Sequence, residues 1–279
     1  MIGNTKAILT AAREGNYAVA AFNVYNQETA RASVRAAEGL DQPVIIALGE
    51  RYFPTVDVEG FAAMVKVLAA KSSVPVALHL DHAYEKESIE RAIAAGFSSV
   101  MYDGSRYNLE QNVHHTKEIV AMAHASGVSV EAEIGSLARG AFSDEEEGDG
   151  TLTSPSDAKQ FVAETGVDFL AAAIGTVHGM YSGEPNINLP LLEQIRSAID
   201  IPLVLHGGSG TPDAIITETI KRGICKINVN TEISLAATDF LKQLVNVKPD
   251  AHLSVMMAEL ENAIVPAMSR FVALFANRE

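Results

Sequence analysis

Residues 74–105 read VPVALHLDHAYEKESIERAIAAGFSSVMYDGS and contain two short apolar runs on either side of a helical pattern. The runs at residues 76–80 and 99–103 are predicted as strands buried on both faces, because they are almost continuously apolar. The segment EKESIERAIAAG between them has helical spacing, and Gly96 closes it as a C-cap glycine would. This stretch predicts one strand–helix–strand unit of a parallel sheet.

The same alternation continues along the chain. The predicted strands are residues 18–23, 44–48, 76–80, 99–103, 128–133, 169–174, 202–206 and 225–228. Eight strand-then-helix units favour an α/β fold, a (β/α)₈ TIM barrel in a single domain. We expect that domain to span residues 1–279, with residues 230–279 as a C-terminal helical segment. A doubly wound sheet is the alternative, but FNVYNQE follows the first strand, where a dinucleotide-binding fold carries a glycine-rich turn.

Composition narrows the functional classes. The formal net charge of −14 argues against nucleic-acid binding, which needs an excess of Lys and Arg. It leaves a phosphorylated small molecule open, because backbone N–H groups bind phosphate locally. There is no apolar run long enough for a membrane span. A single cysteine, Cys225, and an N-terminus without the apolar core of a signal peptide lead us to expect a cytoplasmic protein.

Three histidines, His82, His178 and His206, each follow an apolar run. An isolated histidine in such a place is usually structural, but the carboxyl ends of barrel strands meet at one mouth. Three imidazoles with one open position are typical of a catalytic zinc site. Asp81 directly precedes His82, where a carboxylate suits proton transfer beside a metal.

Further polar residues fall at or near strand ends, and we expect them at the same mouth: Asn23, Asp103, Glu131, Glu133 and Asn228. Glu131 and Glu133 share a face, because strand side chains repeat every two residues. Two interpretations of this pair stay open. It contacts a metal-bound histidine, or it is part of a charged pair that stabilises the barrel interior.

A phosphate site is predicted after the last two strands. LHGGSG, at residues 205–210, places glycines before a helix start, and KINVNTE, at residues 226–232, ends the eighth strand. Loops at these two positions of a barrel often bind phosphate, although LHGGSG could also be a plain glycine turn. Zinc, a neighbouring Asp and a phosphate site together suggest a phosphorylated carbonyl substrate whose enediolate the metal would hold.

The motifs HLDH, SSVMYDGS, EAEIG, IGTVHG, PLVLHGGSG and KINVNTE occur in this order along the chain. From about residue 3 to residue 245 the chain therefore resembles the class II, zinc-dependent ketose-bisphosphate aldolases of fructose and tagatose type. The resemblance implies a dimeric or tetrameric (β/α)₈ enzyme. Such enzymes cleave a ketose phosphate into dihydroxyacetone phosphate and an aldehyde.

The resemblance also implies residue roles. It makes His82, His178 and His206 the zinc ligands, Glu133 and Asp103 alternate metal partners, and Asp81 the acid/base on the C4 hydroxyl. The implied substrate contacts are Asn23, Gly179, Gly207, Gly208, Ser209, Asn228, Val229, Asn230 and Thr231. The backbone around Val177, Gly179 and Gly207 is similar to a place where some members hold Na⁺ or K⁺.

The chain departs from the family pattern in the loop SLARGAFSDEEEGDG. Family members carry there a mobile-loop glutamate that moves a proton on dihydroxyacetone phosphate. No glutamate stands at the matching position, and Glu145 and Glu146 are the nearest catalytic candidates.

The half of the site expected to hold the aldehyde is also altered. Ser182 stands where many family members have a lysine, and Gly49 stands where they often have a residue with a hydroxyl side chain. The segment KPDAHL lacks the arginine with which many members bind the second phosphate of the substrate. Arg51 and Arg139 are the candidate replacements, and the alternative for either of them, favoured for Arg139, is a solvated surface residue. We expect a relaxed or changed acceptor choice with a modest preference for a 6-phosphate. A barrel zinc hydrolase and a non-catalytic sugar-phosphate-binding protein remain the alternatives.

Overall fold

The computed structural model describes residues 1–145 and 148–277. In chain order its strands are β1 (Val19–Asn23), β2 (Val44–Gly49), β3 (Val76–Ala83), β4 (Ser99–Tyr102), β5 (Ser129–Ile134), β6 (Ala138–Arg139), β7 (Phe169–Ala172), β8 (Val177–His178), β9 (Leu203–Leu205) and β10 (Ile224–Val229). Eight of them pair in parallel in the closed order β1-β10-β9-β7-β5-β4-β3-β2. The predicted single-domain (β/α)₈ barrel is therefore confirmed. Strands β6 and β8 form a small second sheet that the sequence did not predict.

A helix follows each barrel strand and covers its outer face. The helices are α1 (Thr5–Gly15), α2 (Gln27–Glu38), α3 (Val58–Lys71), α4 (Lys86–Ala95), α5 (Leu109–Ala125), α6 (Pro155–Thr165), α7 (Leu189–Ala198), α8 (Asp213–Lys221), α9 (Thr231–Val247) and α10 (Leu253–Phe275), with a 3-10 helix at Glu50–Tyr52. Helix α10 packs against α2 and closes the outer ring. None of the helices in the described ranges combines the length and hydrophobicity that a membrane-spanning segment needs.

Helix α1 was not among the predicted strand–helix units. Its N-cap Asn4 accepts a hydrogen bond from the backbone N–H of Ala7 at 2.9 Å, which satisfies one free donor of the first turn. Leu9 and Ala12 are fully buried against inward-facing side chains such as Phe169. Burying a leucine contributes roughly 1.5–3 kcal/mol, so α1 is a stabilising plug at the amino-terminal end of the barrel.

The barrel interior changes from apolar to charged along the strand direction. On β3, Ala77 lies in the apolar interior cluster, and His79 and Asp81 follow on the same face because strand side chains alternate. The buried polar residues of the upper interior are His79, Asp81, Glu131, Glu133, Lys226 and Asn228. The charged layer lies at the carboxyl ends of the strands, where barrel enzymes carry their active sites.

Three predicted strands end earlier than expected. Strand β4 stops at Tyr102, β7 at Ala172 and β9 at Leu205, so Asp103, Ile174 and His206 lie in the following loops. Asp103 leaves the strand because its side chain accepts hydrogen bonds from the backbone N–H of Ser105 at 3.0 Å and from its hydroxyl at 2.6 Å. This local turn competes with strand pairing and ends the strand there.

Candidate active site

Two adjacent residues, Asp81 and His82, both reach the barrel mouth because β3 carries a bulge. Leu80 pairs with Val100, whereas Ala83 pairs with Tyr102, so β3 holds one residue more than β4 in this interval. His82 has φ 39°, in the left-handed region that costs a non-glycine residue about 1–3 kcal/mol. The bulge breaks the alternation that would otherwise send these two side chains to opposite faces.

The structure brings the three predicted histidines together. His82, His178 and His206 each offer a nitrogen, and these atoms lie within 4.8 Å of one another. A second set, formed by His82, Asp103 and Glu133, meets the same limit and shares His82 with the first. All five residues predicted as metal partners therefore converge at one place.

Carboxylates fix the orientation of two of these rings. Nδ1 of His82 donates to Oδ2 of Asp103 at 2.7 Å, and Nε2 of His206 donates to Oε1 of Glu131 at 3.0 Å. The opposite nitrogen of His206, Nδ1, has no hydrogen-bond partner among the described residues and is left for a ligand. Carboxylate–histidine pairs of this kind orient metal ligands in many proteins.

Several buried polar atoms at this place lack a hydrogen-bond partner among the residues that the structure describes. They include Nε2 of His178, Nδ1 of His206 and Oε2 of Glu133. The last two atoms are 2.9 Å apart, an ion-pair distance without hydrogen-bond alignment. Buried polar atoms are normally satisfied, so a cluster of unsatisfied imidazole and carboxylate donors fits a divalent metal such as zinc.

The titration of these groups reflects their crowding. Burial lowers the pKa of His206, but contacts with Glu131 and Glu133 outweigh it and raise the pKa to about 9. Burial and the neighbouring His82 and His206 hold the pKa of His178 well below its usual range. Burial and the charge of Asp103 raise the pKa of Glu133. A metal ion bound here would have to displace the proton that the raised pKa keeps on Nδ1 of His206.

Asp81 is held by two carboxamides. Its Oδ2 accepts from Nδ2 of Asn23 at 2.8 Å, and its Oδ1 accepts from Nδ2 of Asn228 at 2.9 Å. Burial raises the pKa of Asp81, but the positive charges of His82 and Lys226 outweigh this and lower it overall. Asp81 is therefore an ionised carboxylate in a fixed orientation beside His82.

A small cavity of about 30 Å³ connects this centre with the predicted phosphate segments. Its lining includes most of the predicted substrate contacts: Asn23, Gly179, Gly207, Gly208, Ser209, Asn228, Asn230 and Thr231. Thr231 begins α9, so the positive end of a helix dipole faces this cavity. Gly207 has φ 72° and lies against the carbonyl of Val177, where a Cβ atom would come within 2.2 Å of that oxygen.

Val229 is the remaining predicted substrate contact. Its side chain is fully buried in the hydrophobic core, outside the cavity lining, because it alternates with the inward-facing Asn228 along β10.

The tip of the loop after β6 lies over the centre. Glu145 lines the small cavity and also an adjoining one of about 260 Å³, which Asp103, Glu133 and His178 help to line. Burial raises the pKa of Glu145, and the opposing effects of His82 and Arg51 do not cancel it. Glu145 is thus a carboxyl group with a raised pKa beside the predicted catalytic residues. The other loop candidate, Glu146, lies outside the described residues.

Known proteins resemble this chain in both sequence and fold. The sequence matches the family "Fructose-bisphosphate aldolase class-II" over residues 3–279. This chain belongs to the class II fructose-bisphosphate aldolases. Among solved structures, it is similar to the YdjI aldolase of Escherichia coli K12, with 36% identity, 99% of this chain and 97% of the other covered, and a TM-score of 0.89.

Two further structures share the fold. A Coccidioides immitis protein described as a candidate fructose-1,6-biphosphate aldolase has 32% identity, coverage of 99% and 96%, and a TM-score of 0.88. The fructose-bisphosphate aldolase Fba of Campylobacter jejuni has 22% identity, coverage of 99% and 95%, and a TM-score of 0.83, and shows the common fold alone.

Arg51 and Arg139, the two arginines predicted to bind a phosphate of the acceptor aldehyde, both contact residues of the loop after β6. The Arg51 guanidinium donates to the Glu145 carboxylate, and Nη2 of Arg139 donates to the carbonyl of Ser143 at 2.8 Å. The neighbouring Asp144 accepts from the Tyr52 hydroxyl and from Nδ2 of Asn230. These contacts tie the loop tip down, and they pair Arg51 with a carboxylate, whereas Arg139 contacts only a neutral carbonyl.

Four residues of this aldolase site were missed from the sequence: His79, Lys226, Tyr25 and Tyr52. A signal existed for the first two, because His79 precedes Asp81 and Lys226 precedes Asn228 by two residues, on the same strand faces. Tyr25 lies in the loop after β1 and Tyr52 in the short 3-10 helix after β2, where no periodic sequence pattern applies.

Proposed function

We propose that this protein is a zinc-dependent aldolase. It reversibly cleaves a ketose 1-phosphate or 1,6-bisphosphate of fructose or tagatose type into dihydroxyacetone phosphate and an aldehyde. The observation that carries the proposal is the convergence of three histidines, with unsatisfied buried nitrogens, beside the fixed carboxylate Asp81. Asn228 and other residues of the two predicted phosphate-binding segments, 205–210 and 226–232, line the same cavity.

The donor set fits zinc, which His82, His178 and His206 would hold, with Glu133 and Asp103 as alternate partners. When bound, zinc would polarise the substrate carbonyl and stabilise the negative charge that develops on its oxygen. All other chemistry falls to the chain's own side chains.

Asp81 takes the proton of the C4 hydroxyl in the cleavage direction. As the C3–C4 bond breaks, the C4 oxygen becomes the carbonyl of the aldehyde and the electron pair stays on C3. The amides of Asn23 and Asn228 keep both oxygens of Asp81 oriented for this transfer. Oδ1 of Asn228 has no hydrogen-bond partner among the described residues, so it can accept from a substrate hydroxyl.

Glu145 delivers the proton that C3 needs to become the methylene group of dihydroxyacetone phosphate. Its position in the lining of both cavities and its raised pKa support this role. Glu145 then regains a proton while Asp81 releases one, so the cycle consumes no net proton. In the condensation direction the two residues exchange these duties.

The phosphate at C1 would bind where Ser209 and the start of α9 line the small cavity. The backbone around Val177, Gly179 and Gly207 is the proposed seat of Na⁺ or K⁺, supported by the close backbone packing at Gly207. We further propose a cytoplasmic homodimer or homotetramer that acts on small sugar phosphates and binds neither nucleic acid nor membrane, in line with the net charge of −14.

The acceptor half favours an aldehyde other than glyceraldehyde 3-phosphate. Arg51 is engaged by Glu145, and the exposed Ser182 offers no cation. The test is metal analysis of the purified protein, followed by a coupled assay for dihydroxyacetone phosphate release from a panel of ketoses with and without phosphate at C1. Zinc content near one per subunit with release from 1-phosphates alone supports the proposal. Equal turnover of ketoses that lack the 1-phosphate, or no release from any ketose, would overturn it.

A further inference from the structure

We propose that Lys226 is a positioning residue for the metal site. It holds Glu131 so that Glu131 turns Nδ1 of His206 toward the metal. The inference rests on the zinc site of the proposed function, and it concerns a residue that does not touch substrate or metal.

Lys226 is fully buried inside the barrel. Its Nζ lies 2.9 Å from Oε1 and 2.8 Å from Oε2 of Glu131, and both side chains are 0% exposed. The pair crosses the interior, because β9 and β7 stand between β10 and β5 in the sheet. A buried ion pair of this kind is often no more stabilising than apolar side chains of similar size, so stability alone is a weak reason for its presence.

Glu131 connects this lysine to His206. The Oε1 atom that receives Lys226 also accepts from Nε2 of His206 at 3.0 Å. A carboxylate can only accept, so Nε2 carries the hydrogen. Once a metal displaces the proton of Nδ1, the free lone pair of the ring is on that atom, which is buried and has no hydrogen-bond partner within the described residues. Lysine, carboxylate and imidazole thus form one chain that ends at the metal position.

The other neighbour of Glu131 does not replace the lysine. Nε2 of His79 is 3.6 Å from Oε2 of Glu131, and Nδ1 of His79 is hydrogen-bonded to Oγ of Ser99 at 2.8 Å. Burial and the charge of Lys226 lower the pKa of His79 to about 3, so this imidazole is neutral. Lys226 therefore supplies the positive charge that keeps Glu131 an oriented carboxylate.

Zinc affinity of Lys226→Met, measured by competition with a chromophoric chelator and without substrate, tests the inference. Loss of an outer partner typically weakens metal binding about 10–100-fold, and we expect a loss in that range. Nitrogen NMR of the imidazoles in zinc-loaded protein should show a single Nε2–H form of His206 in wild type and its loss in the variant. Unchanged zinc affinity in folded Lys226→Met protein would overturn the inference.

The double variant Lys226→Met/Glu131→Gln covers the case in which the single variant does not fold. It removes both charges, while the Gln oxygen can still accept from His206. We expect recovered thermal stability of the metal-free protein but zinc binding still weaker than wild type by about tenfold or more. Recovery of both properties would show that Lys226 acts by charge balance alone and would overturn the proposal.

Asp168→Asn is the matched control. Asp168 is a buried carboxylate paired with Lys6 at 2.8 Å near the start of β7, at the opposite end of the strand from the predicted metal ligands. It should lower stability and leave zinc affinity unchanged. If wild-type protein itself binds no zinc, the proposed function fails together with this inference. If wild type binds zinc and both Lys226 variants bind it equally well, the inference alone fails.

Discussion

The guanidinium of Arg51 is paired with the carboxylate of Glu145, which ties the loop after β6 to the 3-10 helix after β2. The side chains are 21% and 11% exposed, so the pair is largely shielded from water and salt. Because Glu145 also lines the cavity that contains Asp81 and His82, this pair places a carboxyl group over the reacting centre. Arg51, which lies outside the motifs shared with the family, therefore holds the tip of the loop after β6 in place.

Glu145→Gln should lose proton transfer at C3 of dihydroxyacetone phosphate while keeping zinc and substrate binding. The amide cannot exchange a proton, and general acid–base groups contribute about 10²–10⁴-fold. Hydrogen exchange at C3, followed by NMR in deuterated water, measures the step directly. Glu146→Gln is the control and should exchange at the wild-type rate. The reverse pattern would assign the role to Glu146.

His206→Ala should abolish tight zinc binding. It removes one of three converging imidazoles and leaves Glu131 and Glu133 without the ring between them. Elemental analysis should give about one zinc per wild-type subunit and far less in the variant. Unchanged, tightly bound zinc in the variant would show that the three-histidine assignment is wrong.

Asp81→Ala should keep zinc but lose carbon–carbon cleavage by about 10²–10⁴-fold, because the role proposed for Asp81 is that of a proton acceptor and not of a ligand. Asn23 and Asn228 lose their shared acceptor, so substrate affinity is measured alongside kcat. A variant with full zinc and activity within a few-fold of wild type would rule the role out.

Much of this site could be predicted from the sequence, because apolar strand patterns recur regularly along it. The positions of His82, His178 and His206 after apolar runs were enough to predict convergence, because parallel strands in a barrel end at one mouth. The bulge that turns both Asp81 and His82 to that mouth was not visible, since strict alternation would separate them. The pairing of Arg51 with Glu145 depends on the path of a loop without regular structure. The Lys226–Glu131 pair spans non-adjacent strands, so it needed the closed barrel to be found.

Asp168→Asn should destabilise the protein by roughly 1–3 kcal/mol at neutral pH, because a buried carboxylate loses charge-assisted bonds to Lys6, His124 and the N–H of Val130. Burial raises the pKa of Asp168, but these bonds outweigh it and hold the pKa below its ordinary 3.8. A depressed folded-state pKa gives stability that is complete above the unfolded value and is lost as pH falls through the folded one. The difference in unfolding free energy between wild type and variant, from urea titrations, should therefore shrink below pH 4. A difference in unfolding free energy that stays constant as the pH falls would contradict this prediction.

The half of the site expected to hold the aldehyde determines how strongly the enzyme prefers a bisphosphate. A second phosphate site needs cationic donors, yet Arg51 is bound by Glu145 and Arg139 by the carbonyl of Ser143. A charge-assisted contact is worth roughly 1.5–3 kcal/mol, which corresponds to about 10–150-fold in kcat/KM. We therefore expect fructose or tagatose 1,6-bisphosphate to exceed the matching 1-phosphate by no more than that range.

The measurement is kcat/KM for each bisphosphate and 1-phosphate pair, repeated with Arg51→Met. If a 6-phosphate displaces Glu145 from Arg51, the variant loses the remaining preference while its kcat/KM on the 1-phosphate changes less. A preference well beyond 150-fold in wild type would show an intact second phosphate site. The substitutions at residues 49 and 182 would then be neutral changes in loops.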